Sequence, residues 1–252
     1  MKTKLIIILL LSAGIFARCS KDKSISKESN QVTLNFRLTA NGEPLQPGTN
    51  YINGSGETFT VSTFKIYVSS FSFRNVGTSQ ISNTDPACFL INMQDPASLK
   101  ANVTLSSGQF NQLVFYVGVD STRNVSGAQT GSLDPLNGMF WTWNTGYIFA
   151  KFEGNSSVSS NIGNSFVYHI GGFRTGENAI RKIILDFPGD QTITSGNIGT
   201  EIQLDIDLDR WFTGVNNISI ASTPVWMEPG GLSLELADNY ATMFSIQDII
   251  TP

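Results

Sequence analysis

One histidine, four tryptophans and a scatter of carboxylates are the side chains in this sequence whose chemistry goes beyond packing. His169 offers an imidazole, a common metal ligand and the only side chain type whose unperturbed charge changes near neutral pH. Trp141 and Trp143 stand two apart, so an extended backbone points both indoles to one side. An indole near a surface can yield an electron to an external high-potential haem. Trp211 and Trp226 lie outside this pair and read as packing residues. Met93, Met139, Met227 and Met243 are scattered, and a lone methionine is more often a core filler than a ligand. A single histidine cannot build a metal site with two imidazoles. His169 alternates with Tyr168 and Ile170, so its side chain faces away from theirs, either as a ligand or as a hydrogen-bonded histidine of the surface.

The carboxylates are less suggestive. Asp205, Asp207 and Asp209 alternate along one segment and could offer oxygens to calcium, but they lack the glycine-bearing loop and bidentate glutamate of an EF-hand; polar-out alternation explains them. No nucleophile elbow stands between a strand and a helix, no phosphate loop or dinucleotide fingerprint occurs, and a histidine-based triad has only His169 to use. The sequence therefore predicts a protein that is not an enzyme. A net charge of −4, with no basic block beyond the N-terminus, gives no footprint for nucleic acid.

These side chains sit on a β framework. Val32, Leu34, Phe36 and Leu38 alternate with polar neighbours, as do Ile202, Leu204, Ile206 and Leu208. Phe64, Ile66 and Val68 share a face, after which the apolar phase shifts to Phe71 and Phe73, which predicts a bulge near Ser69-Ser70. Further strands are predicted over 89–92, 113–119, 147–152, 166–170 and 183–187, and short helical turns over 208–212 and 234–243. The expected fold is all-β: a single antiparallel β-sandwich of immunoglobulin-like or Greek-key type, with long loops and one or two short helices. Cys88 is expected to be a buried small hydrophobe at the head of an apolar run.

The N-terminus reads as an address. Lys2 and Lys4 precede an apolar run over 5–11, too short to span a bilayer and of secretory type. Phe16-Ala17-Arg18-Cys19 looks like a lipobox with Arg18 where a small residue is usual, so ordinary signal cleavage competes with acylation of Cys19. The expected organisation is a lipoprotein signal over 1–19, with Cys19 as lipidation site, a flexible tether over 20–30, and one domain over 31–252. The expected location is the periplasm or outer membrane of a Gram-negative bacterium, with the lipid anchor as the only membrane attachment.

Residues 118–147 form a long connection between two predicted strands, and its end carries Met139, Phe140, Trp141, Trp143 and Tyr147. Long connections in compact domains are usually functional or disordered, and this aromatic load argues for order. One reading is that the aromatics plug an end of the sandwich. Gly118-Val119-Asp120-Ser121, Leu133-Asp134-Pro135 and Gly138-Met139-Phe140-Trp141-Thr142-Trp143-Asn144-Thr145-Gly146-Tyr147 resemble the signature of the MbnP family. The similarity continues through Lys151-Phe152-Glu153-Gly154, Tyr168-His169-Ile170-Gly171-Gly172 and Ala237-Asp238-Asn239. The resemblance marks Asp120, Asp134, Gly138, Asn144, Gly146 and Tyr147 as the loop motif.

That resemblance implies an exported, copper-associated protein. It implies copper bound by histidine with a tryptophan oxidised to kynurenine, and a diheme enzyme of the MauG type as the oxidising partner. His169 is then the metal ligand, and Trp141 and Trp143 are the oxidisable candidates. This chain has Phe140 where copper-binding relatives commonly carry a histidine, so weaker copper binding is expected. The alternative is a non-catalytic surface module, free of metal, whose aromatic loop binds a glycan or another envelope protein.

Overall fold

The computed structural model describes residues 31–84, 87–144 and 146–252. The signal sequence, Cys19 and the tether lie outside the described residues. The strands run in chain order β1 (Gln31–Ala40), β2 (Glu43–Pro44), β3 (Tyr51–Ile52), β4 (Thr58–Asn75), β5 (Gln80–Asn83), β6 (Cys88–Asn92), β7 (Lys100–Thr104), β8 (Gln109–Phe110), β9 (Gln112–Val117), β10 (Ile148–Asn155), β11 (Ser165–Gly171), β12 (Arg181–Asp186), β13 (Ile193–Thr194), β14 (Thr200–Asp207), β15 (Val225–Trp226) and β16 (Phe244–Ile250). The helices are α1 (Ser121–Val125), α2 (Asp209–Phe212) and α3 (Leu232–Tyr240).

One sheet has the order β16-β14-β1, with β2 and β7 also paired to β1. The other runs β12-β9-β4-β10-β11-β15, with β3, β5 and β6 on β4. Alternation explains why they close on each other. Leu34, Phe36 and Leu38 of β1 pair with Ile202, Leu204 and Ile206 of β14, and all six are buried. Each such side chain removed from water contributes about 1.5–3 kcal/mol. Their polar partners stay outside, where Arg37 donates to both carboxylate oxygens of Asp205 at 2.7 and 2.6 Å. One core joins the sheets, from Val32 of β1 to Ile249 of β16.

The expected all-β sandwich is what forms, with one refinement. β1 and β14 pair in parallel, as do β11 and β15, while the other ladders are antiparallel. No tight turn links β1 to β14, so nothing forces a hairpin direction on them. The predicted bulge falls in β4, where the register with β9 shifts between Ser69 and Ser72 and Ser70 has φ 54°. It carries Phe71 and Phe73 into the core after Phe64, Ile66 and Val68.

α2 and α3 stand where helical turns were expected. Trp211 of α2 is fully buried, 6.5 Å in ring centroid from Tyr240 of α3. Asn239 locks this end by donating to the carbonyls of Trp211 and Asn216 at 2.8 and 2.9 Å. Cys88 is buried, and burial pushes its thiol up to about 11, away from thiolate chemistry. Among the described residues no helix is long and apolar enough to cross a membrane.

Candidate functional site

The long connection folds across the outer face of the larger sheet. Phe64 and Ile66 of β4 point into the core; Lys65 and Tyr67, of opposite parity, point out and meet this loop. The Tyr67 hydroxyl donates to the Ser132 carbonyl at 2.7 Å, and Lys65 Nζ to the Asn137 carbonyl at 2.9 Å. Lys151 of β10 donates through Nζ to the Gly138 carbonyl at 2.6 Å, and burial lowers its pKa. Three carbonyls of the connection are thus satisfied by side chains of the sheet beneath it.

The motif residues build this loop. Asp120 caps α1, accepting from the Arg123 backbone N–H at 3.0 Å and pairing with the Arg123 guanidinium. Those bonds outweigh the burial that would raise its pKa, and it is lowered. Asp134 accepts from Leu136 N–H at 2.9 Å and starts the 3-10 turn Pro135–Asn137, which Gly138 closes. Buried Asn124 ties the start of the loop to its end, donating to the Val119 carbonyl at 2.6 Å and accepting from Tyr147 N–H at 2.8 Å. Gly146 faces that amide at φ 108°, where a Cβ would lie 2.6 Å from Asn124 Oδ1. The Tyr147 hydroxyl donates to the Leu133 carbonyl at 2.9 Å. Asn144 is half-buried beside Trp143. These residues position the loop, and Asn124, a member the sequence did not single out, is its centre.

The indole pair is divided by solvent. Trp141 is 3% exposed and Trp143 is 60% exposed, with ring centroids 5.6 Å apart and planes at 42°. Trp141 rests on Gly171 of β11, where a Cβ would fall 2.8 Å from its Cη2. His169 lies two residues earlier on the same face of β11, about 7 Å along the strand. The structure therefore places Trp141, Trp143 and His169 on one outer face rather than at opposite ends of the sandwich. The Trp141 indole N–H is buried and has no hydrogen-bond partner among the described residues.

His169 Nε2 lies 2.7 Å from Glu153 Oε1 of β10. The hydrogen bond from His169 is the main cause holding the Glu153 carboxyl below its usual range; burial opposes it, and the charges of His169 and Lys151 assist. A carboxylate only accepts, so Nε2 is the donor, and in the tautomer with one ring proton the lone pair lies on Nδ1. Lys151 stands directly across from His169, and Lys65 across from Lys151.

On the other side of His169 lies β15. Val225 and Trp226 pair in parallel with Val167 and Tyr168. Met227 follows Trp226 just beyond the last paired residue of β15. Trp143, Val225, Trp226, Met227 and Glu228 line an open cleft of about 470 Å³. Trp226 packs half-buried against the core, as expected, and is also in this lining; Trp211 is core, as expected.

No group of three or more His, Cys, Asp or Glu among the described residues could hold a metal. Asp205 is engaged by Arg37, Asp207 by Arg210 and Asp209 by Asn41, which accounts for the alternating aspartates. What this face offers a metal is one imidazole nitrogen, with the Met227 thioether in the lining of the neighbouring cleft.

A family model described as MbnP matches residues 29–228. The chain belongs to the MbnP family. Among solved structures it is similar to MbnP from Methylosinus trichosporium, with a TM-score of 0.55 and 15% sequence identity over 79% of this chain and 80% of that one. At that identity the likeness establishes the fold. No curated protein matches the chain. The MbnP match ends at Glu228 in the cleft; α3 and β16 lie beyond it, yet β16 completes the smaller sheet on β14.

Proposed function

We propose that this MbnP-family protein is an exported lipoprotein, acylated at Cys19 and without catalysis of its own, that takes copper(I) as cargo on the face carrying His169. The ligands are His169 Nδ1 and the Met227 thioether, soft or borderline donors of the kind copper(I) selects. The supporting observation is the bond from His169 Nε2 to Glu153, which fixes the tautomer and leaves Nδ1 available. Two donors, with Phe140 in place of a second imidazole, make for weaker binding than in relatives with two histidines.

We propose further that the indole pair is the substrate of a diheme enzyme of the MauG type. Trp143 is the outer contact through which electrons leave, and Trp141 stands behind it with its rings in near contact. Either can be the one converted to kynurenine.

A copper(I) competition titration on wild type, His169→Ala and Met227→Ala tests the cargo site. Each substitution is expected to weaken binding by at least about tenfold, the loss of one ligand of two. Equal binding by all three overturns it. Peptide mapping of protein produced with and without a diheme partner tests the second proposal. Kynurenine at Trp141 or Trp143 only in the partner's presence supports it, and unmodified tryptophan in both overturns it.

A further inference from the structure

Where β4 turns into β5, a pocket of about 300 Å³ is lined by Arg74, Val76, Ile81 and the side-chain amides of Asn75, Gln80 and Gln112. Strand register sets Ile81, Arg74, Gln112 and Asp186 in one row across β5, β4, β9 and β12. Arg74 is of opposite parity to buried Phe73, so it shares the outer face with Ile81 and Gln112. The amides are already engaged. Asn75 Nδ2 donates to the Gln109 carbonyl at 3.1 Å, Gln80 Nε2 to the Ser107 carbonyl at 2.9 Å and Gln112 Nε2 to Asp186 Oδ1 at 2.7 Å. Arg74 is not engaged. It alone is charged among the described residues of the lining, and it forms no ion pair among the described residues. The side chain is half-buried, and its Nε is buried without a hydrogen-bond partner. An arginine drawn this far from water is ordinarily paired. The carboxylate of its own row, Asp186, lies two strands away and is held by Gln112.

We propose that this pocket binds an aliphatic monocarboxylate, its carboxylate held by the Arg74 guanidinium and its chain laid on Val76 and Ile81. A planar guanidinium offers N–H groups in a fork that matches a carboxylate, and such charge-assisted bonds are the strong ones. Val76 and Ile81 are 62% and 51% exposed, so an alkyl chain covering them removes apolar surface from water. The same inventory sets other ligands aside. A phosphate dianion brings two charges and more acceptors than one arginine can serve. A sugar needs a partner for each hydroxyl, and the amide N–H groups named above are committed to the protein. A cation meets Arg74 with no carboxylate in the lining to offset it. The site is separate from the copper face, since neither His169 nor Trp143 lines it.

Sodium hexanoate is the probe, titrated into the full-length protein and followed by calorimetry and ligand-observed NMR. 1-Hexanol has the chain without the charge, and acetate has the charge without the chain. Saturable hexanoate binding in the millimolar range is expected, with each comparison ligand at least about tenfold weaker, the scale of one charge-assisted hydrogen bond or of a few buried methylenes. Arg74→Gln should weaken hexanoate by at least about tenfold and leave 1-hexanol unchanged. Ile81→Ser, at an exposed position, should weaken hexanoate several-fold, and His169→Ala should leave it unchanged even if copper binding is lost. If Arg74→Gln does not fold, Ile81→Ser and the two comparison ligands carry the test without it. Absence of saturable hexanoate binding, equal binding of 1-hexanol or acetate, or wild-type affinity in either pocket variant overturns the proposal, as does inorganic phosphate binding more tightly than hexanoate.

Discussion

Gly171→Ala puts a methyl group where the structure has room for none. The added Cβ lies 2.8 and 3.0 Å from Cη2 and Cζ3 of Trp141 and 2.6 Å from the Tyr147 carbonyl oxygen. The indole can tilt. The carbonyl is harder to move, because Tyr147 is bridged to Phe140, donates its N–H to Asn124 and reaches Leu133 through its hydroxyl. Forcing a methyl into a packed contact of this kind costs about 1–3 kcal/mol, and with one yielding neighbour and one fixed neighbour the expected loss is about 2 kcal/mol. Urea unfolding followed by fluorescence should show a lower midpoint with an unchanged slope. Native emission should shift to the red, as Trp141 tilts from its seat and carries Trp143 with it. Repeating the substitution in a Trp141→Ala background separates the two contacts: the ring's share disappears and the carbonyl's share remains. The two changes should therefore be non-additive by about 0.5 kcal/mol or more. A wild-type midpoint with unshifted emission, or full additivity with Trp141→Ala, would refute the seating of Trp141 on β11.

Other outcomes follow from the same geometry. Glu57 is buried and accepts from Asn53 Nδ2 and Ser219 Oγ at 2.7 Å and from the backbone of Ile220 and Ala221 at 2.9 and 3.0 Å; Glu57→Ala strands those donors and should cost about 2–4 kcal/mol in urea unfolding, loosening the segment that leads to β15. Burial raises the Glu57 pKa but its four partners outweigh it, and Glu153 is lowered by His169, so both carboxylates add stability above the usual value of about 4.3 that is lost as pH falls through their lower folded values. Unfolding midpoints taken downward from neutral pH should drop in that acid window, and less so in Glu57→Gln. Asp120→Ala removes a helix cap and an ion pair and should cost about 1 kcal/mol, with the loop, not the sandwich, becoming protease-sensitive. Cys19→Ser should release the protein from membranes into the soluble envelope fraction; wild type already soluble, with another N-terminus, would refute acylation.

The parts of the fold that were legible share one property: a single buried face read at period two. β1 and β14 show it without interruption, and the phase jump from Val68 to Phe71 located a bulge because each strand face must stay apolar through it. The direction of pairing was not legible, since Leu34 and Ile202 bury equally well beside each other whether β14 runs with β1 or against it. α1 was missed for the converse reason. Its residues, Ser121 to Val125, have no apolar stripe, and only Asn124 is buried; the helix exists because Asp120 caps it and Asn124 is needed at its end to grip Tyr147.

The candidate site divides along the same line. Parity placed His169 on the outer face, and the aromatic load of 139–147 argued that the loop is ordered, both from the sequence. What parity cannot supply is the identity of the neighbour on the next strand. Glu153 reaches His169 only because Lys151 sits opposite His169, which leaves Glu153 one diagonal step away. Val225 and Trp226 come alongside only because β15 adds in parallel to β11 with Val225 against Val167. A shift of β15 by one residue would exchange the faces that Val225 and Trp226 present. The chemistry of this face is therefore set by two registers more than by any motif. It also follows that substitutions in the 218–222 segment, which Glu57 clamps and which feeds β15, should shift the fluorescence of half-buried Trp226 without touching it.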